Sequence, residues 1–260
     1  MFKVIVKFIY LLIPNILVKI EIVDLGLYIS DLGILVIADL HIGHEAALEK
    51  HGVLLPLSTY PRMKRKLLNM IDERNIAELI ILGDIKTEFG RPSIQEWIEV
   101  KDLLNTLKNM LRIHVVRGNH DNYILNILSK FSIDFHYPCF KLEDTIFIHG
   151  HEQLPQDIGD TEMIIMAHEH PAVTLRDKLG AKFKFKCFLK GTYKGRELIV
   201  IPAFSPLATG TSVNEARREE FLSPILQSID IEELTPIVVE DNELFKLPKI
   251  KYLSNYYMEH

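Results

Sequence analysis

The chain has 260 residues, 48% of them apolar, and a formal net charge of -5. That length and apolar content supply one large core, and the mildly acidic balance excludes binding of nucleic acid or membrane by bulk charge while leaving room for a local basic groove. The two cysteines, Cys139 and Cys187, form no CxxC pattern and are too few for a disulfide framework, so a reducing cytoplasm is the expected setting.

Residues 2–20 are strongly apolar, but Lys7, Pro14, Asn15 and Lys19 interrupt the run. Its uninterrupted part, 8–13, is far shorter than the about 20 residues that span a bilayer. Buried strands or a docked segment are expected there, without stable membrane insertion. Contact with a membrane surface is the alternative.

A short apolar run over 34–38 reads as a strand and ends at Asp39. Over 61–74, Met63, Leu67, Met70 and Ile71 recur at helical spacing. The next strand, 79–82, ends at Gly83-Asp84. Ser93 with Glu96 forms a capping box. The helix after it carries Trp97, Val100, Leu104, Leu107 and Leu111 as a core stripe rather than a base-stacking platform. A strand over 113–116 leads to Arg117-Gly118-Asn119-His120, and a short helix is expected over 122–130. Strands over 145–148 and 163–166 then lead into two histidine clusters. Residues 182–189 alternate Lys with Phe, and Lys194-Gly195 signals a hairpin before a strand over 197–201. The first half thus reads β-α-β-α-β and the second mostly β. Two facing mixed sheets flanked by helices satisfy both halves. One domain over 1–260 is expected, with 223–260 as a C-terminal extension that carries no readable motif.

Seven candidate metal ligands fall in five clusters, each directly after a strand-like run. The clusters are Asp39-x-His41, Gly83-Asp84, Gly118-Asn119-His120-Asp121, His149-Gly150-His151 and His168-x-His170. In extended chain, residues i and i+2 point the same way, so Asp39 and His41 can share one ion, as can His168 and His170. Asp84 stands alone in its motif and suits a bridging carboxylate. Asn119 adds a neutral oxygen. His149, which directly ends its strand, is preferred to His151 as the ligand. Carboxylate with imidazole suits manganese, nickel, iron or zinc. Two such ions about 3.5–4 Å apart can clamp a phosphoryl group and make hydroxide available at neutral pH.

The series D-x-H, G-D, G-N-H-D, H and H-x-H resembles the calcineurin-like metallophosphoesterases over 34–171. The resemblance implies a four-layer αββα sandwich and a dinuclear centre, with manganese foremost. It places Asp39, His41, Asp84 and His170 on one metal and Asp84, Asn119, His149 and His168 on the other. His120 would face the phosphate as leaving-group acid or charge stabiliser, oriented by Asp121. Attack on a phosphodiester by a metal-bridging hydroxide is the implied reaction. Asp39-Leu40-His41-Ile42-Gly43-His44-Glu45, Gly83-Asp84-Ile85-Lys86, Cys187-Phe188-Leu189-Lys190-Gly191 and Pro202-Ala203-Phe204 resemble the ICC-like branch. That branch contains archaeal phosphoesterases and a bacterial DNA-ligase-associated nuclease. Ala167 stands where many relatives have Gly, and the histidine pair after it is intact.

Lys86 and His44 are candidates for substrate contact, against the plainer readings of a solvated loop lysine and an ordinary histidine. His51, His114 and His136 read as structural or exposed. Lys182, Lys184 and Lys186, and the group Arg62, Lys64, Arg65 and Lys66, read either as solvated faces or as basic strips that follow a nucleic-acid backbone. The alternatives to a nuclease or nucleotide phosphodiesterase are a small-molecule nucleotide phosphatase, a lipid phosphoesterase at a membrane, and a non-catalytic scaffold on the same fold. Retention of His120 and all seven ligands argues against the scaffold.

Overall fold

A computed structural model of the chain describes residues 9–13, 16–50, 52–53, 59–241 and 243–255. The first sheet has seven strands whose spatial order follows the chain. They are β1 (Ile9–Ile13), β2 (Ile16–Val23), β3 (Gly26–Ile29), β4 (Ile34–Ala38), β5 (Glu78–Leu82), β6 (Arg112–Val116) and β7 (Asp134–His136). β1 to β4 form an antiparallel meander, and β4 to β7 are parallel. Parallel neighbours need crossovers. These are α1 (His44–Lys50) with α2 (Thr59–Asp72), then α3 (Ile94–Leu107), then α4 (Leu125–Leu128) with a 3-10 turn over Ser129–Phe131.

The apolar stripe of α2 is buried as its spacing predicts, through Tyr60, Met63, Leu67, Met70 and Ile71. The capping box of α3 is present, with the Glu96 amide donating to Ser93 Oγ at 3.1 Å and the Ser93 amide to Glu96 Oε2 at 2.7 Å. That helix stops before Leu111, which is buried in the turn leading to β6. Trp97 is only half-buried at the edge of the core, with the Lys101 ammonium 4.4 Å from its ring centre. The expected helix over 122–130 is shorter because Tyr123, at φ 70°, keeps the chain in a turn until Leu125.

The second sheet contains β8 (Cys139–Leu142), β9 (Thr145–Ile148), β10 (Met163–Met166), β11 (Pro171–Arg176), β12 (Lys182–Tyr193), β13 (Arg196–Val200), β14 (Thr211–Ser212), β15 (Thr235–Glu240) and β16 (Glu243–Lys246). Its order is β14-β11-β12-β13-β10-β9-β8, with β15 also paired to β12 and β16 to β15. β9, β10 and β13 are parallel and the rest mostly antiparallel, so both sheets are mixed. Lys194 and Gly195, both at positive φ, make the two-residue turn between β12 and β13.

Side chains alternate across this sheet. Phe147, Ile165, Phe188 and Ile199 join the core shared with the first sheet. Ile148, Ile164, Leu189 and Val200 face a second core. Each such full burial contributes roughly 1.5–3 kcal/mol before conformational entropy is counted. The second core is covered by α5 (Pro224–Gln227) and short 3-10 turns, so the fourth layer of the sandwich is thin. Residues 223–260 were expected as an extension; within them α5, β15 and β16 are built into the second sheet and its cover. Of the apolar N-terminus, β1 and β2 are strands, and 1–8 lie outside the described residues, as does His51. Among the described residues no helix is long and apolar enough to cross a membrane.

Candidate metal centre

Every expected ligand sits just beyond the carboxyl end of a strand, where open α/β sheets place their sites. Asp39 follows β4, Asp84 follows β5, Asn119 follows β6, His149 follows β9, and His168 and His170 follow β10. The loops are sewn together by backbone bonds. The Asp39 amide donates to Gly83 O at 3.1 Å and His41 to Asp84 O at 2.9 Å. From the other sheet, Ser205 donates to Asp39 O at 3.1 Å. The two sheets therefore meet at the centre.

The turns are tight. Asp39, His41, Asp84, His168 and His170 all have left-handed backbone, with φ between 43° and 69°. Asp and His tolerate this region better than most side chains, yet such residues concentrate where function holds them. Gly118 permits a close approach, since a Cβ there would lie 2.1 Å from Asp84 Oδ1.

Three sets of candidate ligand atoms lie within 4.8 Å of one another among the described residues: Asp39–His41–His170, His41–Asp84–His120 and Asp84–His149–His168. His149 Nε2 is 3.0 Å from Asp39 Oδ1 and 3.5 Å from Asp84 Oδ2. His170 Nε2 is 3.4 Å from Asp39 Oδ2 and 3.3 Å from His41 Nε2. Asp84 and His41 each belong to two of the sets, and a carboxylate, unlike an imidazole, has two oxygens with which it could reach two ions. His149 is fully buried and turns Nε2 inward, whereas His151 meets its outer nitrogen, Nδ1 to Nδ1, at 3.0 Å.

Electrostatics favour cations here. Burial lowers the pKa of His41 and of His168 to about 3, so both rings are neutral and keep a lone pair for a metal. Burial, then the neighbouring Asp39 and Asp121 carboxylates, push Asp84 up to about 7. Burial opposes ionisation of Asp39 as well, but His170 and His149 hold it well below the ordinary carboxylate value. Asn119 Oδ1 is buried with no hydrogen-bond partner. An orphaned oxygen beside crowded carboxylates and neutral imidazoles fits divalent metals, which would satisfy all three.

His120 lies on the cleft side of this cluster, its Nε2 3.8 Å from Asp84 Oδ2. Its Nδ1 bonds the Thr87 carbonyl, which can only accept, so Nδ1 carries the hydrogen and Nε2 faces the centre. Asp121, expected to orient His120, instead takes three backbone amides. Asp84 N is at 2.8 Å, Ile85 N at 3.0 Å and Gly118 N at 2.9 Å. It fixes the two ligand loops, and Thr87 holds the histidine.

Lys86, expected near substrate, is fully buried; its ammonium bonds the carbonyls of Glu88 and of Gly90, the latter at 3.2 Å. It secures the loop after β5. His44 does border the cleft, a cavity of about 510 Å³ shared with His41, His120, His170 and the 207–211 segment.

Two supporting residues were visible in the sequence without a site role. Glu96, fully buried, also accepts from the Thr87 amide at 3.0 Å and the Glu88 amide at 2.8 Å. The α3 cap thus holds the segment that orients His120. Glu169, between the two histidines of its motif, accepts from Leu222 and Ser223 amides at 2.9 and 3.0 Å and anchors that segment by the cleft. Glu96→Ala should strand these amides and lower stability by about 2–4 kcal/mol. Thermal unfolding should show a reduced Tm, and the surviving folded protein should lose kcat more than metal content. An unchanged kcat would separate His120 from this support.

Comparison with known proteins agrees with this geometry. The model of the calcineurin-like phosphoesterase family matches residues 32–186, more than half of the chain. The crystal structure of the Pseudomonas putida nuclease MPE is similar, with 17% identity, 92% of this chain and 100% of that one covered, and a TM-score of 0.66. A phosphoesterase from E. coli, Yfce, has 17% identity over 82% of this chain and 97% of that one, with a TM-score of 0.42. No curated protein matches. The family match covers the strands that bring the ligand cluster together, and the chain therefore belongs to the calcineurin-like phosphoesterases, hydrolases that act on phosphate esters by means of divalent metals.

Proposed function

We propose that the chain is a phosphodiesterase whose substrates are nucleic-acid strands, with a dinuclear centre that takes manganese foremost and nickel, iron or zinc as alternatives. The observation that carries this reading is the surface on either side of the centre. Five residues of the two basic groups line one groove of about 810 Å³, where Arg62, Arg65 and Lys66 of α2 face Lys184 and Lys186 of β12, whereas Lys64 pairs with Asp102 and Lys182 with Glu215. Acidic Asp24, Glu240 and Asp241 also line it, so five cations stand against three carboxylates. Lys66 is paired with Asp24 at 2.7 Å, and Lys186 donates to Ala203 O at 2.8 Å, while Arg62 and Arg65 are exposed. The groove borders the β2–β3 turn, on one flank of the centre, and further surface continues past β6 and β7 on the other. A diester needs room on both sides of phosphorus; a monoester needs it on one. Resemblance to the ICC-like branch, with its nuclease, favours the same reading as an analogy.

Asp39, His41, Asp84 and His170 would hold one ion and Asp84, Asn119, His149 and His168 the other. When bound, such ions supply Lewis-acid stabilisation of phosphoryl charge and acidify water. The protein's own part is positioning. His120 would present Nε2 to the ester oxygen; with the Nδ1 hydrogen committed to Thr87 and burial lowering the pKa of the ring, Nε2 must first take up a proton from water before passing it to the leaving oxygen. His44 lines the cleft wall where substrate enters.

Metal-stripped protein, given each metal in turn with bis-p-nitrophenyl phosphate and p-nitrophenyl phosphate, should recover diester hydrolysis first. Single-stranded DNA cleavage should fall steeply with salt. Arg62→Glu with Arg65→Glu should lower kcat/KM for DNA about tenfold more than for the small diester. Faster monoester turnover would favour the nucleotide phosphatase, and full metal loading without any turnover would favour the scaffold.

A further inference from the structure

Large apolar side chains scattered singly over a surface need no explanation, but a cluster beside a reaction centre does. Phe89, Tyr123, Leu125 and Tyr137 are each more than half exposed and line one cavity of about 730 Å³ on the β6–β7 flank. The cavity is contiguous with the chemistry, because the Phe89 ring stacks on His120 with centroids 3.7 Å apart and an angle of 28°.

The cluster is tied together by side-chain contacts. The Tyr137 ring lies 5.0 Å from the Arg117 guanidinium, and its hydroxyl donates to Glu152 at 3.0 Å. Arg117 donates to Asn122 Oδ1 at 3.0 Å, and Asn122 reaches back to Phe89 O at 3.5 Å. Tyr123 is a bulky residue at φ 70°, a conformation that such side chains adopt only when the surroundings impose it. Half-exposed rings, a guanidinium and an enforced backbone make a platform for a flat aromatic group joined to the phosphate.

Resting on the phosphodiesterase reading above, we infer that Phe89, Tyr123 and Tyr137 with Arg117 form a stacking site for the nucleobase on the His120 side of the scissile phosphate. The polynucleotide it takes is single-stranded. A base inside a duplex has both faces covered by its neighbours, and a free strand offers them. The platform shows no dedicated edge reader, since the Asn122 amide is already engaged. Stacking is sequence-tolerant, so the site selects for the presence of a base rather than its identity.

The test compares substrates on the metal-loaded wild-type enzyme. Oligothymidylate is set against a chain of equal length made of abasic deoxyribose phosphates, and against duplex DNA. The abasic chain, with the same charge, should be cleaved about 10- to 100-fold less efficiently in kcat/KM, and the duplex should also be poor. Tyr123→Ala with Tyr137→Leu should narrow the gap between oligothymidylate and the abasic chain. Equal cleavage of both single strands overturns the platform and leaves the phosphodiesterase intact. Turnover of bis-p-nitrophenyl phosphate with no cleavage of any strand overturns it too, in favour of a small diester. Hydrolysis of nothing, in protein carrying two ions, overturns the underlying reading and the platform with it.

Discussion

Asp84→Ala should abolish hydrolysis of bis-p-nitrophenyl phosphate, with a fall of at least about 10³-fold, because several kcal/mol of charge stabilisation disappear together. Asp84 is the carboxylate common to the sets around His41 and His149, so on the proposed assignment its loss would affect both ions rather than one. Its Oδ1 also accepts from the His120 amide at 2.9 Å, which couples the bridge to the residue that faces the phosphate. The informative contrast is His120→Ala. Removal of a proton-transfer group costs about 10²- to 10⁴-fold in rate, and the seven ligands remain. Metal content measured by atomic emission should therefore drop towards one ion or none in Asp84→Ala and stay at two in His120→Ala. Two ions retained in Asp84→Ala would show that the bridge lies elsewhere.

The parts of this site that were legible are those set by local pattern. Runs such as Leu79-Ile80-Ile81-Leu82 are strands whatever surrounds them, and the polar residue that ends each run marks a strand end. That puts Asp39, Asp84, Asn119, His149 and His168 on one edge before any packing is known. What failed was set by tertiary contact. Asp121 follows His120 in sequence, but the turn aims its carboxylate back at the amides of residues 84, 85 and 118. A lysine after a motif reads as solvated, yet Lys86 is enclosed because the following loop folds over it and offers carbonyls. β15 was unreadable as part of the sheet because its partner, β12, lies far earlier in the chain, and register over such separations has no local signature. The aromatic cluster has no periodicity at all, since Phe89, Tyr123 and Tyr137 come from three separate loops.

Metal affinity should fall below neutrality by up to about tenfold per pH unit for each proton expelled, hence on the order of 50-fold between pH 7 and pH 5 from Asp84 alone. The sign follows from which protonation state binds. Imidazoles must be neutral to ligate, and His41 and His168, held at about 3 by burial, are already neutral throughout this range. The carboxylate must be ionised, and Asp84, pushed up to about 7, is increasingly protonated as pH falls. His149, although burial disfavours its charge, is raised by Asp84 and Asp39, so the buried cluster holds protons that an incoming ion must expel. Calorimetric titration in buffers of different ionisation enthalpy should detect that release. Stability should follow the same linkage. A bound ion at 100 times its dissociation constant stabilises by about 2.7 kcal/mol, so chelation should lower Tm clearly at pH 7. At pH 5 the loaded and chelated forms should converge, because weaker binding removes the difference. In the chelated protein, Asp84 has a raised folded pKa, so its contribution to stability is lost as pH rises from about 4 to about 7. His41 and His168 act in the opposite sense, being lowered, and they destabilise the fold as pH falls below about 6.5. Asp84→Asn separates these opposing contributions. It should leave the chelated protein more stable at pH 8 than wild type while binding metal poorly at every pH. A chelated Asp84→Asn protein less stable than wild type at pH 8 would show that the carboxylate is not strained in the metal-free fold.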